Sequence, residues 1–95
     1  ERRITMFHLV GKLIRNNRIL ADSTVCNDDI AMTRTKKIFA AIDTICHDFD
    51  LSIPIWLDSN ISEFQRTSKT RFYKDNFIDE IDFDYFEIQV TQEDD

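Results

Sequence analysis

The segment from Phe64 to Lys74 carries the residue types best suited to binding chemistry. Within eleven positions it holds four basic, three hydroxyl and three aromatic side chains. Cations and hydroxyls donate to phosphate and carboxylate groups, and rings interleaved with cations can stack on bases. The sequence therefore predicts a ligand or partner site formed by Arg66, Lys69, Arg71, Tyr73 and Lys74. The competing interpretation places Phe64 and Phe72 in the core and leaves the cations solvated or paired with acids.

A thiol, an imidazole and a carboxylate are adjacent at Cys46-His47-Asp48. Neighbours on a helix diverge by about 100°, so these three groups do not converge on one atom. A Cys–His nucleophile would form only if His8 approached Cys46, and we predict an inert thiol instead. Two isolated Cys and two isolated His also lack the paired spacing of a zinc site.

Acidic residues cluster at Asp79, Glu80, Asp82 and Asp84. They lack the spacing and the glycine of a calcium loop, and any acidic turn offers comparable carboxylate pairs. The single glycine of the chain also excludes a glycine-rich phosphate loop. We predict no catalytic residues, no metal and no cofactor.

The residues that would hold these groups in place begin with a β-hairpin. Residues 4–15 are rich in β-formers, Asn16-Asn17 suits a two-residue turn, and residues 18–26 return antiparallel. The alternation places Ile19, Ala21, Ser23 and Val25 on one face.

A long amphipathic helix is predicted over residues 33–50. Its apolar stripe is Ile38, Ile42, Ile45 and Phe49, widened by Phe39 and Cys46. A short second helix should follow, capped by Asn60 with Glu63 three residues later. Between them, residues 53–57 should form a short edge strand or place Trp56 in the core. An exposed Trp56 would instead mark a partner site.

The last third of the chain predicts a helical turn over residues 76–81 and a strand over 83–91. Phe86, Ile88 and Val90 alternate with polar residues in that strand. The fold class is therefore α+β, a small antiparallel sheet of three or four strands with helix on one face. The 95 residues make one domain, with 1–5 and 92–95 frayed or incidental and Met6 a plausible native start.

Charge is segregated along the chain. Residues 75–95 hold nine of the eighteen acids and no Lys or Arg, whereas residues 1–74 hold all twelve basic residues. Arg34, Lys36 and Lys37 also oppose the dipole of the long helix. We predict that acids of 79–87 lie near the basic residues of 34–37 or 66–74. The alternative is that the charges solvate separate faces.

Composition sets limits on function. The chain is 42% hydrophobic and 32% charged, so a folded core is expected, and no apolar run is long enough to span a membrane. The net charge of −6 argues against direct nucleic-acid binding. Two cysteines without a regular spacing favour a cytoplasmic protein with reduced thiols.

Four segments resemble a short family of uncharacterised bacterial proteins. They are Pro54-Ile55-Trp56-Leu57-Asp58, Lys69-Thr70-Arg71-Phe72, Asn76-Phe77-Ile78 and Glu80-Ile81-Asp82-Phe83-Asp84-Tyr85. The resemblance covers the C-terminal half and, more loosely, the hairpin; it implies a bacterial cytosolic protein, with no activity, cofactor or partner attached.

Three functions are consistent with these observations. The first is a non-catalytic protein-interaction or regulatory module, whose partner is either another protein or a second copy bound through a sheet edge or an uncovered sheet face. The second is a binding domain for a phosphorylated or carboxylated small molecule at residues 66–74. The third is an acidic nucleic-acid mimic that binds a basic partner through residues 79–95.

Overall fold

The computed structural model describes residues 6–93, which form a four-stranded antiparallel sheet and two α-helices. The strands are β1 (Phe7–Arg15), β2 (Arg18–Asn27), β3 (Lys69–Phe72) and β4 (Tyr85–Glu93). The helices are α1 (Arg34–Asp48) and α2 (Asp58–Thr67), with a 3₁₀ turn at Lys74–Asn76. The strand order is β2-β1-β4-β3, so β2 and β3 are the edges. The predicted α+β class is confirmed.

The N-terminal hairpin closes as predicted, because Asn16 and Asn17 take positive φ values of 53° and 64°. Its second strand contains a bulge, however. Leu13 pairs with Ala21 and Ile14 with Ile19, so Leu20 has no partner in β1. The predicted face was therefore wrong for Ile19, since the extra residue moves it to the face opposite Ala21.

Helix α1 covers one face of the sheet. The Thr33 hydroxyl accepts a hydrogen bond from the Lys36 amide at 3.3 Å and so begins the helix. The apolar residues that α1 buries against the sheet are Ile38, Ala41, Ile42, Ile45 and Cys46. Phe39 was wrongly placed in this stripe: it is 51% exposed and packs edge-on against Trp56.

Helix α1 packs tightly against the sheet at Gly11. A Cβ atom at this position would lie 2.9 Å from both Ile45 Cγ2 and Phe86 Cε1. Both neighbours are fully buried, so they have little room to move.

Substitution of Gly11 with Ala is therefore expected to destabilise the fold by about 1–3 kcal/mol through overpacking. Urea unfolding of Gly11→Ala measures this, with Ser23→Ala as the control, since Ser23 lies opposite Gly11 in β2. An unchanged unfolding midpoint for Gly11→Ala would show that α1 lies further from β1.

Helix α2 begins earlier than predicted. Leu57, not Asn60, is its first flanking residue, and the Asn60 side chain accepts from the Leu57 amide at 3.1 Å. Ser68 ends the helix in the left-handed conformation, with φ of 57°. Residues 53–57 are extended but belong to no strand, and of the two predicted alternatives Trp56 adopts the core one. Its ring contacts Phe64 and Phe72 at centroid distances of 5.4 and 5.2 Å.

The predicted helical turn over 76–81 was wrong. The 3₁₀ turn ends at Asn76, and the following chain is irregular up to β4. Phe77 and Phe83 pack against each other at 5.8 Å and are both buried, whereas Ile78 is 86% exposed. Tertiary packing of these two rings thus overrides the local helical spacing.

The C-terminal strand runs further than predicted. Gln92 and Glu93, expected to fray, belong to β4 and pair with β1. The fraying expected for residues 1–5, 94 and 95 falls outside the described residues. Neither helix among residues 6–93 combines the length and hydrophobicity needed to cross a membrane.

Candidate functional site: a groove beside strand β3

An open groove of about 860 Å³ lies between α2 and β3. Its lining residues from α2 and the residue before it are Leu57, Ser59, Asn60, Ser62, Glu63 and Arg66. From β3 and the 3₁₀ turn they are Lys69, Thr70, Arg71, Tyr73, Asp75 and Asn76. Four of the five predicted site residues therefore line one groove, and Lys74 does not. The volume of the groove is in the range of small-molecule sites.

The floor of the groove is a buried pair of asparagines. The Asn76 amide donates to Asn60 Oδ1 at 2.7 Å and to the Ile55 carbonyl at 2.8 Å. Asn60 in turn donates to Thr70 Oγ1 and to the Arg71 carbonyl, both at 2.9 Å. The two side chains thus fix α2, β3 and the extended segment against each other.

The free edge of β3 is unusual in its polarity. The Ser68 carbonyl accepts from Val90 N at 2.9 Å, so in the alternation of an antiparallel pair Thr70 and Phe72 bond to β4. Lys69 and Arg71 therefore direct their backbone groups away from β4, toward the groove. The Lys69 carbonyl is taken by the Thr67 hydroxyl at 3.0 Å and the Arg71 carbonyl by Asn60.

The outer edge of β3 is consequently left with donors. Side chains of α2 and its C-terminal end occupy both carbonyls, whereas the two amide N–H groups have no side-chain partner within residues 6–93. A partner β-strand needs acceptors as well as donors along an edge. The edge of β3 is therefore poorly suited to a strand and well suited to an acceptor-rich ligand.

The cations of the groove differ in availability. Arg66 and Lys69 form no ion pair within the described part of the chain. Arg71 is already engaged, since its Nε lies 2.9 Å from Glu87 Oε2 and its guanidinium stacks over Tyr85 at 4.5 Å. The hydrogen bonds to Glu87 and then to Tyr73 raise the pKa of Arg71. The group of Arg71 that is available to a ligand in the groove is thus its backbone N–H, since its guanidinium is already bound to Glu87.

The predicted pairing of the two charged regions is confirmed by the Arg71–Glu87 ion pair. Arg34 also has an acidic partner, but that partner is Glu93, which lies outside the predicted acidic range. Their Nε–Oε2 distance is 2.6 Å, and the Arg34 guanidinium also donates to the Ser68 hydroxyl. This contact offsets the unfavourable position of Arg34 at the N-terminus of α1.

The Cys46-His47-Asp48 sequence does not form a reactive group. Cys46 is buried in the core, and burial followed by the nearby charge of Asp43 raises its pKa to about 11. His8 lies on the opposite side of β1, across from Cys26. No three His, Cys, Asp or Glu side chains of residues 6–93 converge as metal ligands, including the acids at 79–84.

Two features of this site were not predicted from the sequence. Strand β3 lies within the basic segment and was not predicted. The available signal was the alternation of Thr70 and Phe72, both buried, with Lys69 and Arg71. The Asn60–Asn76 contact joins residues sixteen positions apart and leaves no local pattern.

Comparison with known proteins adds no relative. No protein-family model, no curated protein and no solved structure matches this chain. The resemblance to uncharacterised bacterial proteins therefore stays a prediction, and function has to be argued from the groove and the sheet.

Proposed function

We propose that the protein is a non-catalytic binding module that holds the carboxylate or phosphate group of a small ligand in the groove between α2 and β3. The observation that carries this proposal is the donor-only edge of β3. Its two outward carbonyls are occupied by Thr67 and Asn60, while the amides of Lys69 and Arg71 face the groove.

Charge around that edge supports the same chemistry. Arg66 and Lys69 line the groove without ion-pair partners among the described residues, so their charges are free to meet an anion. Charge-assisted hydrogen bonds to an anion are about twice as strong as neutral ones. The hydroxyls of Ser59 and Ser62 add two further donors.

The groove also contains two acids, Glu63 and Asp75. A ligand that is anionic throughout would be repelled by them. We therefore favour a small molecule that carries one carboxylate or phosphate together with hydroxyl or amino groups, since these can donate to the two acids.

Thermal shift with inorganic phosphate and with glycerol 3-phosphate tests the proposal, since each carries a single anionic group. At ten times its dissociation constant a ligand stabilises the native state by about 1.4 kcal/mol, which raises Tm by about 6 °C in a domain of this size. Sodium chloride at matched ionic strength gives the baseline. The saturable rise should be absent in Arg66→Ala and in Lys69→Ala.

Lys74→Ala is the matched control, because Lys74 belongs to the same basic segment but does not line the groove. It should retain the full shift. If none of the anions shifts the wild-type protein, or if Lys74→Ala loses as much as Lys69→Ala, the groove is not an anion site.

A protein-interaction module remains the second candidate, and one specific observation favours it. Both helices pack on one face of the sheet, and no helix of residues 6–93 covers the other. The proposal of an acidic nucleic-acid mimic has less support, since Glu87 and Glu93 are each paired with an arginine. In either case we keep the proposal of a cytoplasmic protein.

A further inference from the structure

The sheet face opposite α1, called the open face below, carries an alternating row of charges. Strand pairing places Asp22 of β2 beside Lys12 of β1, Lys12 beside Glu87 of β4, and Glu87 beside Arg71 of β3. The row therefore reads negative, positive, negative, positive across the full width of the sheet. Cross-strand neighbours share a face, so all four side chains lie on the open face.

A second row, next to the first and nearer the hairpin turn, is largely apolar. It consists of Ile19, Ile14 and Tyr85, which are paired across strands, followed by Tyr73. The Tyr73 ring lies 5.7 Å from that of Tyr85, which places both on the open face. Ile19 and Tyr73 are about half exposed. These two rows are called the charge row and the apolar row.

We propose that two copies of this chain bind each other through their open faces, related by a two-fold axis parallel to the strands. Such an axis reverses the order of the strands from one copy to the other. An alternating row of four charges changes sign at every position when it is reversed. Asp22 then faces Arg71 of the second copy, and Lys12 faces its Glu87.

The alternative axis, perpendicular to the strands, is disfavoured by the same row. It keeps the strand order, so Asp22 would face Asp22 and Lys12 would face Lys12 of the other copy. Like charges facing across an interface are repulsive, whereas complementary charges fix partner and orientation. The charge row is thus complementary to itself in one orientation only.

The apolar row and the available area agree with this orientation. Reversal places Ile19 against Tyr73 and Ile14 against Tyr85, so each aliphatic side chain meets an aromatic ring. Strands β1, β2 and β4 have nine or ten residues and β3 has four. At about 3.3 Å per residue and about 4.8 Å per strand each face covers about 500 Å², so two faces bury about 1,000 Å². That reaches the lower limit of specific interfaces, which predicts a weak dimer. Aligned sheets of this kind pack at about 10 Å.

Complementary charge variants test the dimer by sedimentation equilibrium from micromolar to millimolar concentration. Lys12→Glu places a glutamate against Glu87 of the second copy, and Glu87→Lys places a lysine against its Lys12. Each variant alone should dimerise at least about tenfold more weakly than the wild type. In an equimolar mixture all four facing pairs are opposite in sign, so the mixture should form a heterodimer.

Each outcome decides the proposal. Recovery of dimers in the mixture also shows that both variants are folded, and circular dichroism of each variant checks this separately. A wild-type protein that stays monomeric at millimolar concentration overturns the proposal. A dimer that persists in both single variants also overturns it, because such a dimer would pair through another surface, such as the edge of β2. A mixture of folded variants that stays monomeric overturns it as well.

Discussion

Replacement of Ile42 with Asp is expected to unfold the protein at room temperature. Ile42 lies in the middle of α1, is 1% exposed and contributes to the core between the helix and the sheet. The substitution removes about 2–3 kcal/mol of apolar burial and adds a carboxyl group without a partner, at several kcal/mol more. A domain of this size has a total stability of about 5–10 kcal/mol. Circular dichroism should show the loss of both helix and sheet.

Ala40→Asp is the matched control, because Ala40 lies on the exposed side of the same helix. It introduces the same side chain and the same helix propensity, so it should remain folded with a small loss of stability. If Ile42→Asp melted at the temperature of Ala40→Asp, the core would lie on a different face of α1.

Replacement of Asn60 with Ala is expected to produce the second largest loss, about 3 kcal/mol or more. Its side chain makes four hydrogen bonds, with Leu57 N, Asn76 Nδ2, Thr70 Oγ1 and the Arg71 carbonyl. Each buried group left unpaired costs about 1–3 kcal/mol. Thermal unfolding should show Tm lower by roughly 12 °C or more.

Gln65→Ala provides the control on the same helix, since Gln65 is exposed and contributes to neither the core nor the groove. Its Tm should change little. Asn60→Ala with wild-type Tm would show that the asparagine pair does not hold the groove together. This substitution also removes the group that occupies the Arg71 carbonyl, so the edge of β3 would gain an acceptor.

Regular periodicity made much of the fold predictable. The apolar stripe of α1 and the alternation of Phe86 and Ile88 in β4 each place apolar residues on one face of their element. Such patterns follow directly from backbone geometry. The Asn16-Asn17 turn was equally predictable, because asparagine is one of the few residue types that tolerate positive φ. The α+β class follows from these three elements.

The failures have a common physical cause, which is that contacts distant in sequence override local spacing. The rings of Phe77 and Phe83 pack against each other in the core, and this contact replaces the helix predicted over 76–81. The bulge at Leu20 reverses the face of Ile19 without any glycine or proline to mark it. Phe39 fits the stripe of α1 but lies beside Trp56, outside the sheet interface.

The candidate site was predicted in composition and not in geometry. The cations of Arg66 and Lys69 were apparent from residue type alone, and both line the groove. The engagement of Arg71 by Glu87 depends on the pairing of β3 with β4. Occupation of the β3 carbonyls by Thr67 and Asn60 depends on how α2 packs, and it gives the edge its donor character.

Titration of ¹⁵N-labelled protein with inorganic phosphate, followed by amide chemical shifts, tests the donor edge of β3 most directly. Neighbouring residues of one strand supply the comparison, because Lys69 and Arg71 direct their amides to the groove whereas Thr70 and Phe72 bond to β4. We predict saturable shifts of the Lys69 and Arg71 amides that exceed those of Thr70 and Phe72. Equal or absent shifts in all four would contradict the assignment of this edge as the anion site.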